Sequence, residues 1–244
     1  MKVLITKRVH CGLTIPDGKS LTIDGFTFLP DFEGERVARH IQTVLDVNTK
    51  EEASSMASKV FGDFFAKLTL IDNSKYLLGD ELSVSEVGGA TTTHSISISV
   101  SAFIVQDGNI VKGIYEKDIE TKRLRIRPLR LYRDGVNTND SFQKYLNFYR
   151  VLECYLHSRA SINDWIIRHE RKVMMKKNNR DQDITIYTWI RIKLSHSKNN
   201  REDLTPFLIS NPKHVFVVNK YLPKIQELAR QIIKGRERLK HLSV

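Results

Sequence analysis

In the first half of the chain, apolar and polar residues alternate over short runs, a pattern typical of β-strands. The runs are Val3–Ile15, Leu21–Ile23, Phe26–Phe28 and Arg36–Val47. The second and third flank Asp24-Gly25, which is a signal for a two-residue hairpin turn. One segment differs, because between Glu51 and Leu70 the apolar positions recur every three to four residues. That spacing predicts a long helix.

Further along, three more stretches follow the strand period. Ser95–Val105 and Ile110–Tyr115 flank Asp107-Gly108-Asn109 and predict a second hairpin, and Thr121–Arg133 alternates again. Together these runs predict an α+β N-terminal domain over residues 1–135, built on an antiparallel sheet with one long helix. We expect it to sense a signal or recruit a partner. The turn residues 134–139 predict the linker that follows.

Beyond the linker the period becomes helical. Asp140 or a neighbour can cap a helix that runs to about residue 158, and a second helix is predicted from about 161 to 177. Asn211-Pro212 is a start signal for a last long helix. Between them, the apolar residues of Ile184–His196 fall on even positions, which on period alone favours a strand.

Composition limits the class of protein. The chain has 244 residues, is 41% hydrophobic and 27% charged, and contains two cysteines. It lacks the apolar run of about 18–20 residues that a membrane span needs, and two cysteines form neither a disulfide framework nor a thiolate zinc site. We therefore expect a cytoplasmic protein with no membrane association and no cofactor.

Charge is distributed unevenly. The net charge of residues 1–120 is −5, whereas that of residues 121–244 is +16. A basic half joined to a mildly acidic half favours a polyanionic partner, of which nucleic acid is the commonest, although a solvated helical surface also explains such a charge.

One carboxylate lies among apolar residues on the helix that begins near Ser141. At 100° per residue, Glu153 falls about 20° from Phe142, near the middle of an apolar arc of about 120°. A carboxylate there needs a compensating partner, and a guanidinium is the natural one. Both an internal ion pair and a catalytic role are open.

The C-terminal region contains four informative segments: Tyr149-Arg150-Val151-Leu152-Glu153, Trp189-Ile190-Arg191, Ser195-His196-Ser197-Lys198 and Leu222-Pro223 before Ile225–Ile233. On these residues, the region from about Ser141 to Leu239 resembles the HEPN superfamily of four-helix domains, closest to bacterial proteins related to a methylamine-utilisation accessory family. The resemblance implies an all-α HEPN-like four-helix bundle over residues 139–244, with Ile184–His196 helical.

Many HEPN proteins are metal-independent endoribonucleases with an Arg-x4–6-His active-site motif. The resemblance assigns that role to Arg191 and His196, with Glu153 as a third catalytic candidate and no metal. His196 could move the proton of the RNA 2′-hydroxyl or of the leaving oxygen, while Arg191 stabilises charge on the phosphate. The expected products are a 2′,3′-cyclic phosphate and a 5′-hydroxyl.

Five residues on a helix separate two side chains by about 140° and 7.5 Å. One Arg191/His196 pair therefore spreads around its helix, and the family implies that two copies face each other across a two-fold axis. We expect a homodimer with a composite site.

Basic residues around the motif are expected to bind RNA. Arg123, Arg125 and Arg127 share one face of the predicted strand and could follow a phosphate backbone. Tyr187 or Trp189 could stack a base, although such residues more often pack in a core. The remaining expected RNA-binding residues are Lys176, Lys177, Arg180, Lys193, Lys198 and Arg201.

Three functions stay open. The first is a HEPN-type endoribonuclease that acts as a toxin or antiviral defence effector, for which an antitoxin or another protein is a candidate partner. The second is a non-catalytic HEPN module for dimerisation or for RNA or protein binding, which the apolar Ile192 favours because the residue after the motif arginine is often polar. The third is an accessory protein of small-molecule metabolism.

Overall fold

The chain forms two compact units, Met1–Arg123 and Leu124–Val244. The computed structural model describes residues 1–87, 91–94, 106–117, 125–178, 180–195 and 206–239. An antiparallel sheet dominates the first unit and helices dominate the second. The mixed α+β class expected from the sequence is therefore confirmed.

Within the described residues of the first unit, six strands form one sheet in the order β2-β3-β4-β1-β5-β6, with all neighbours antiparallel. At Asp24 and Gly25 φ is 51° and 80°, as a two-residue hairpin turn requires, which confirms the predicted first hairpin. The strands are β1 (Lys2–His10), β2 (Leu21–Ile23), β3 (Phe26–Leu29), β4 (His40–Asp46), β5 (Leu77–Glu86) and β6 (Thr91–His94).

The predicted long helix is present as α1 (Lys50–Asp72). Thr49 caps its start by accepting a hydrogen bond from the Glu52 backbone N–H. Its phenylalanines pack on the hairpin, and the rings of Phe26 and Phe64 stack with centroids 4.0 Å apart. The core of this unit therefore lies between the sheet and α1.

The second predicted hairpin is wrong in the part that the structure describes. Residues 108–117 form a helix, α2 (Gly108–Lys117), because the Asp107 carboxylate accepts hydrogen bonds from the backbone N–H groups of Asn109 and Ile110. An aspartate before glycine can start a helix as well as a hairpin turn. The other predicted strand of this hairpin, 95–105, lies outside the described residues.

The second unit contains, in its described part, five helices and a two-stranded hairpin. Its elements are α3 (Ile126–Asn137), α4 (Ser141–Tyr155), α5 (Arg159–His169), β7 (Met175–Lys177), β8 (Asp183–Thr185), α6 (Ile186–Ser195) and α7 (Pro212–Leu239). Asp140 caps α4 as predicted, and the helical assignment of Ile186–Ser195 is confirmed.

The strand predicted over 121–133 is wrong from residue 126 onward, since α3 occupies 126–137. Leu129, Tyr132 and Val136 are buried at helical spacing, and they pack the helix on α4. The linker predicted at 134–139 begins as the last turn of α3, and the two compact units divide after Arg123. The helix predicted to reach residue 177 ends at His169, and the β7–β8 hairpin follows it.

Candidate functional site

The carboxylate of Glu153 on α4 is paired with Arg191 on α6. Arg191 Nε donates to Glu153 Oε1 at 3.1 Å, and Arg191 Nη2 lies 3.0 Å from the same oxygen in an ion pair. The guanidinium partner expected for Glu153 is therefore confirmed. The two side chains remain 35% and 26% exposed, so the pair lies at the edge of the core and the site is open to solvent.

Tyr149 holds the arginine from a second side. It lies one turn before Glu153, and Cζ of Arg191 is 6.0 Å from its ring centroid, within range for a cation–π contact. Burial raises the pKa of the Tyr149 phenol to about 12, so the phenol keeps its proton at physiological pH. Arg191 thus lies between a carboxylate and a neutral aromatic ring.

A buried hydrogen-bond chain fixes that ring. Thr188 Oγ1 donates to Asn163 Oδ1 at 2.7 Å, and Tyr149 Oη lies 3.0 Å from Thr188 Oγ1. A threonine hydroxyl has one proton, so the Tyr149 phenol must be the donor to Thr188. The chain therefore runs from Tyr149 through Thr188 to Asn163, and all three residues are buried.

Asn163 on α5 also binds the start of α6. Its Oδ1 accepts from the Thr185 backbone N–H at 3.1 Å and from Thr185 Oγ1 at 2.9 Å. Thr185 in turn accepts from the Thr188 backbone N–H at 3.3 Å, which is the arrangement of a helix N-cap. Asn163 therefore joins the cap of α6 to the ring under Arg191.

Three further arginines lie around the end of α4. Arg125 occupies the N-cap position of α3 without a side-chain capping hydrogen bond, and its Cζ is 6.0 Å from the Tyr155 ring. Arg127 follows in the first turn. The positive charges of Arg127 and Arg125 lower the pKa of Cys154, although burial raises it overall. Arg159, the first residue of α5, acts in the same direction on Tyr149. The site is therefore strongly cationic.

The second group of predicted RNA-binding residues lies on another face of α6. The ammonium groups of Lys193 and Lys176 are 5.4 and 5.9 Å from the ring centroid of Trp189. Phe207 packs edge-on against the same indole at 5.5 Å. Lys193 is only 8% exposed, so its ammonium covers Trp189 instead of extending from the surface.

The β7–β8 hairpin also carries Lys177, the remaining described lysine of the predicted RNA-binding set. Lys177 Nζ is 3.2 Å from an oxygen of Asp183 and 3.1 Å from the Asp181 carbonyl, so its charge is partly neutralised. Arg180 is exposed in the turn. Of the two aromatic residues expected to stack bases, Tyr187 is 1% exposed, so a base cannot reach it.

The expected phosphate track over residues 123–127 does not form as a strand face. Arg125 and Arg127 lie at the start of α3, where two residues correspond to about 200° around the helix. Arg123 lies outside the described residues, as do His196, Lys198 and Arg201. Among the residues that the structure describes, Arg191 and Glu153 are therefore the members of the predicted catalytic set that come together.

The roles of Asn163, Thr188 and Arg159 were not expected from the sequence. Thr185 and Thr188 have the i, i+3 spacing of a cap, which was a usable signal. Asn163 is 22 residues from Thr185, and no local pattern joins the two.

Comparison with known proteins identifies part of the second unit. The family model described as "Methylamine utilization protein MauJ" matches residues 128–234, which is less than half of the chain. No curated protein matches the chain, and no solved structure does. The match bears out the methylamine-utilisation part of the resemblance, and the wider HEPN assignment stays a prediction.

The described residues contain neither a candidate membrane span nor a candidate metal site. Within the described ranges, none of the helices combines the length and the apolar character needed to cross a bilayer. In the same ranges, no three histidine, cysteine or acidic side chains gather in a way that could bind a metal ion.

Proposed function

We propose that the second unit is a HEPN-type, metal-independent endoribonuclease with Arg191 as its phosphate-binding residue. The observation that carries the proposal is the partly exposed Arg191 guanidinium, fixed between Glu153 and the Tyr149 ring. Its Nε and Nη2 bind Glu153, and within the described residues Nη1 has no acceptor. A guanidinium held in this way has a donor ready for a phosphate oxygen at little further loss of side-chain entropy.

In the proposed reaction, His196 accepts the proton of the RNA 2′-hydroxyl as its oxygen attacks the adjacent phosphorus. The bond from phosphorus to the 5′-oxygen breaks, and a protonated histidine, from the second copy in the composite site, returns a proton to that oxygen. Arg191 stabilises the charge that builds on the non-bridging oxygens. We assign Glu153 a positioning role, because it contacts the arginine.

The direct test is incubation of the purified protein with single-stranded RNA in EDTA. We expect cleavage to a 2′,3′-cyclic phosphate and a 5′-hydroxyl, lost in His196→Ala and in Arg191→Gln. His157→Ala, which removes an exposed histidine of the same unit, is the matched control and should cleave normally. Intact RNA, or cleavage by His196→Ala at the wild-type rate, would refute the nuclease proposal.

The homodimer is part of the same proposal, because one Arg191/His196 pair spreads around its helix and the HEPN resemblance implies that a second copy completes the site. Mixing an excess of inactive His196→Ala subunits with the wild-type chain should lower cleavage below that of the wild-type chain alone when subunits exchange, because a mixed dimer has one of the two histidines that the reaction uses. A monomer by light scattering, or cleavage unchanged by the added His196→Ala subunits, would contradict the composite site.

A toxin or antiviral effector role follows if the nuclease acts on cellular RNA, and a protein antitoxin could then control it. Induced expression of the wild-type chain should arrest growth, whereas expression of His196→Ala should not. Equal growth under both would argue against the toxin role.

A second candidate is a non-catalytic HEPN module, which Ile192 favours. Ile192 is 6% exposed and packs with Ile184 and Trp189, so its position contributes an apolar core contact where a polar side chain could have assisted catalysis. Salt-sensitive RNA binding that leaves the strand intact would support this candidate over the nuclease.

The family match favours a third candidate, an accessory role in methylamine utilization. Disruption of the coding sequence in its host should then impair growth on methylamine and leave growth on ammonium unchanged. Normal growth on both would exclude this role.

A further inference from the structure

Four arginines from three helices surround the last two turns of α4. Arg191 pairs with Glu153 at 3.0 Å and lies over Tyr149, and Arg125 lies 6.0 Å from the Tyr155 ring. Glu153 and Tyr155 are two residues apart on α4, so Arg191 and Arg125 reach the same end of that helix from different sides.

Arg127 and Arg159 complete the set, which we call the arginine cluster: Arg125, Arg127, Arg159 and Arg191. Burial raises the pKa of Cys154 and of Tyr149, and the charge of Arg127 opposes the first shift while that of Arg159 opposes the second, as nearby positive charges do. Chain connectivity agrees with this placement, because α5 begins only four residues after α4 ends.

Helix stability does not explain these positions. Arg125 and Arg127 lie at the start of α3, and Arg159 is the first residue of α5, and neither first turn contains an acidic residue. The positive end of the helix dipole disfavours a cation there. By contrast, Arg168 and His169 lie in the last turn of α5, where the dipole favours them.

The cluster is also poorly neutralised. Among the described residues, Glu153 is the one carboxylate that forms an ion pair with any of the four arginines. Arg125, Arg127 and Arg159 are exposed, so their guanidinium groups are accessible to a ligand. Three guanidinium groups that have no ion-pair partner among the described residues therefore lie beside Arg191, which Glu153 holds in place. Such an arrangement is suited to binding several phosphates in succession.

We propose that Arg125, Arg127 and Arg159 bind the backbone phosphates next to the one held by Arg191, and that the ligand is single-stranded RNA. The inference rests on the proposed function for the ligand and extends it to residues outside the Arg191/His196 motif. A single strand can bend around the end of α4 to contact arginines on different sides of it, which a stiff duplex does less easily.

The test measures binding in the His196→Ala background, so that RNA stays intact. Fluorescence anisotropy with a labelled single-stranded RNA oligonucleotide, repeated over a series of salt concentrations, gives the number of phosphates neutralised. Each of Arg125→Gln, Arg127→Gln and Arg159→Gln should weaken binding and reduce the slope of log affinity against log salt by about 0.7, the value for one phosphate of a single strand. The corresponding Arg→Lys variants should keep most of the slope.

Arg171→Gln is the matched control. Arg171 is exposed beyond the opposite end of α5, and its substitution changes the net charge by the same amount. If the cluster variants lose no more slope than Arg171→Gln, binding depends on net charge alone and the inference is wrong. Tighter binding of duplex RNA than of single-stranded RNA would also overturn it.

Folding of the variants has its own expected result. Because the substitutions remove cations from helix N-termini, Arg127→Gln and Arg159→Gln should unfold at no lower urea concentration than the parent.

Failure of this inference can be told from failure of the proposed function. Cleavage that needs His196 together with normal binding by the cluster variants rejects the cluster alone, whereas cluster-dependent binding without cleavage rejects the nuclease alone.

Discussion

Thr188→Val is the most informative test of the chain of hydrogen bonds behind the site. Valine keeps the shape of threonine and removes only the hydroxyl that joins Tyr149 to Asn163. The Tyr149 phenol, in a side chain that is 1% exposed, then has no acceptor. Asn163 loses less, because its Oδ1 still accepts from the backbone N–H and the hydroxyl of Thr185.

The expected cost follows from these losses. A buried donor left without an acceptor costs about 1–3 kcal/mol, so Thr188→Val should lower the free energy of unfolding of the second unit by about that amount. Tyr149→Phe alone should cost about 0.5–1.5 kcal/mol, since Thr188 keeps its bond to Asn163. In the double variant no donor is left unpaired, so its cost should be about 1 kcal/mol less than the sum of the two.

Urea unfolding followed by tryptophan fluorescence measures this. Both tryptophans of the chain, Trp165 and Trp189, lie in the second unit, so the signal reports that unit. Thr69→Val is the matched control, because Thr69 is fully buried and its Oγ1 has no hydrogen-bond partner in the described part of the chain. By circular dichroism we expect it to be neutral or stabilising. An unchanged midpoint for Thr188→Val, or strict additivity in the cycle, would refute the reasoning.

Three other predictions concern packing and protonation. Gly135→Ala should destabilise the second unit by about 1–3 kcal/mol in the same fluorescence assay, because a Cβ there would lie 2.6 Å from the Phe148 ring. Gly113→Ala adds a Cβ that has nothing within 4 Å, so it should stabilise the first unit by about 0.5–1 kcal/mol, measured by circular dichroism. Burial raises the pKa of the Asp72 carboxyl above 3.8, so the folded chain binds more protons at this group than the unfolded chain does. The stability of the first unit should therefore fall as pH rises from about 4 through the raised pKa. Thermal melts of Asp72→Asn should show a smaller fall in stability over the same pH range. Burial also raises the pKa of the Cys11 thiol to about 12, so a thiol reagent should modify Cys11 only on unfolding.

Periodicity predicted those elements that have one buried face. Strands β1 to β4 and helix α1 expose one side and bury the other, so their patterns of two and of about 3.6 residues are visible in the sequence. Strand β5 was missed and the strand over 121–133 was wrong, although Leu129, Tyr132 and Val136 already had the spacing of α3. Apolar residues in that segment occur at both the strand spacing and the helix spacing, and packing on α4 selects the helix.

Of the Glu153–Arg191 pair, the sequence predicted the carboxylate and its need for a partner, but not which arginine would be that partner. Helical geometry placed Glu153 in an apolar arc and so required a partner, but it could not say which of the many arginines of the chain would pair with it. The pair with Arg191 spans 38 residues, and the bond from Thr188 to Asn163 spans 25. Separations of this size are set by how α4, α5 and α6 pack, which local patterns do not contain.

Helix α6 shows how burial on nearly every side removes the pattern that would reveal it. Ile190 and Ile192 are buried, and so are Tyr187 and Thr188 on other faces, so an apparent alternation of isoleucines is compatible with a helix. What starts the helix is the cap at Thr185, whose hydroxyl is bound by Asn163. Asn163 therefore fixes the start of α6 through Thr185 and the orientation of the Tyr149 ring through Thr188. Because Arg191 lies over that ring, the helix and the candidate site depend on one buried amide.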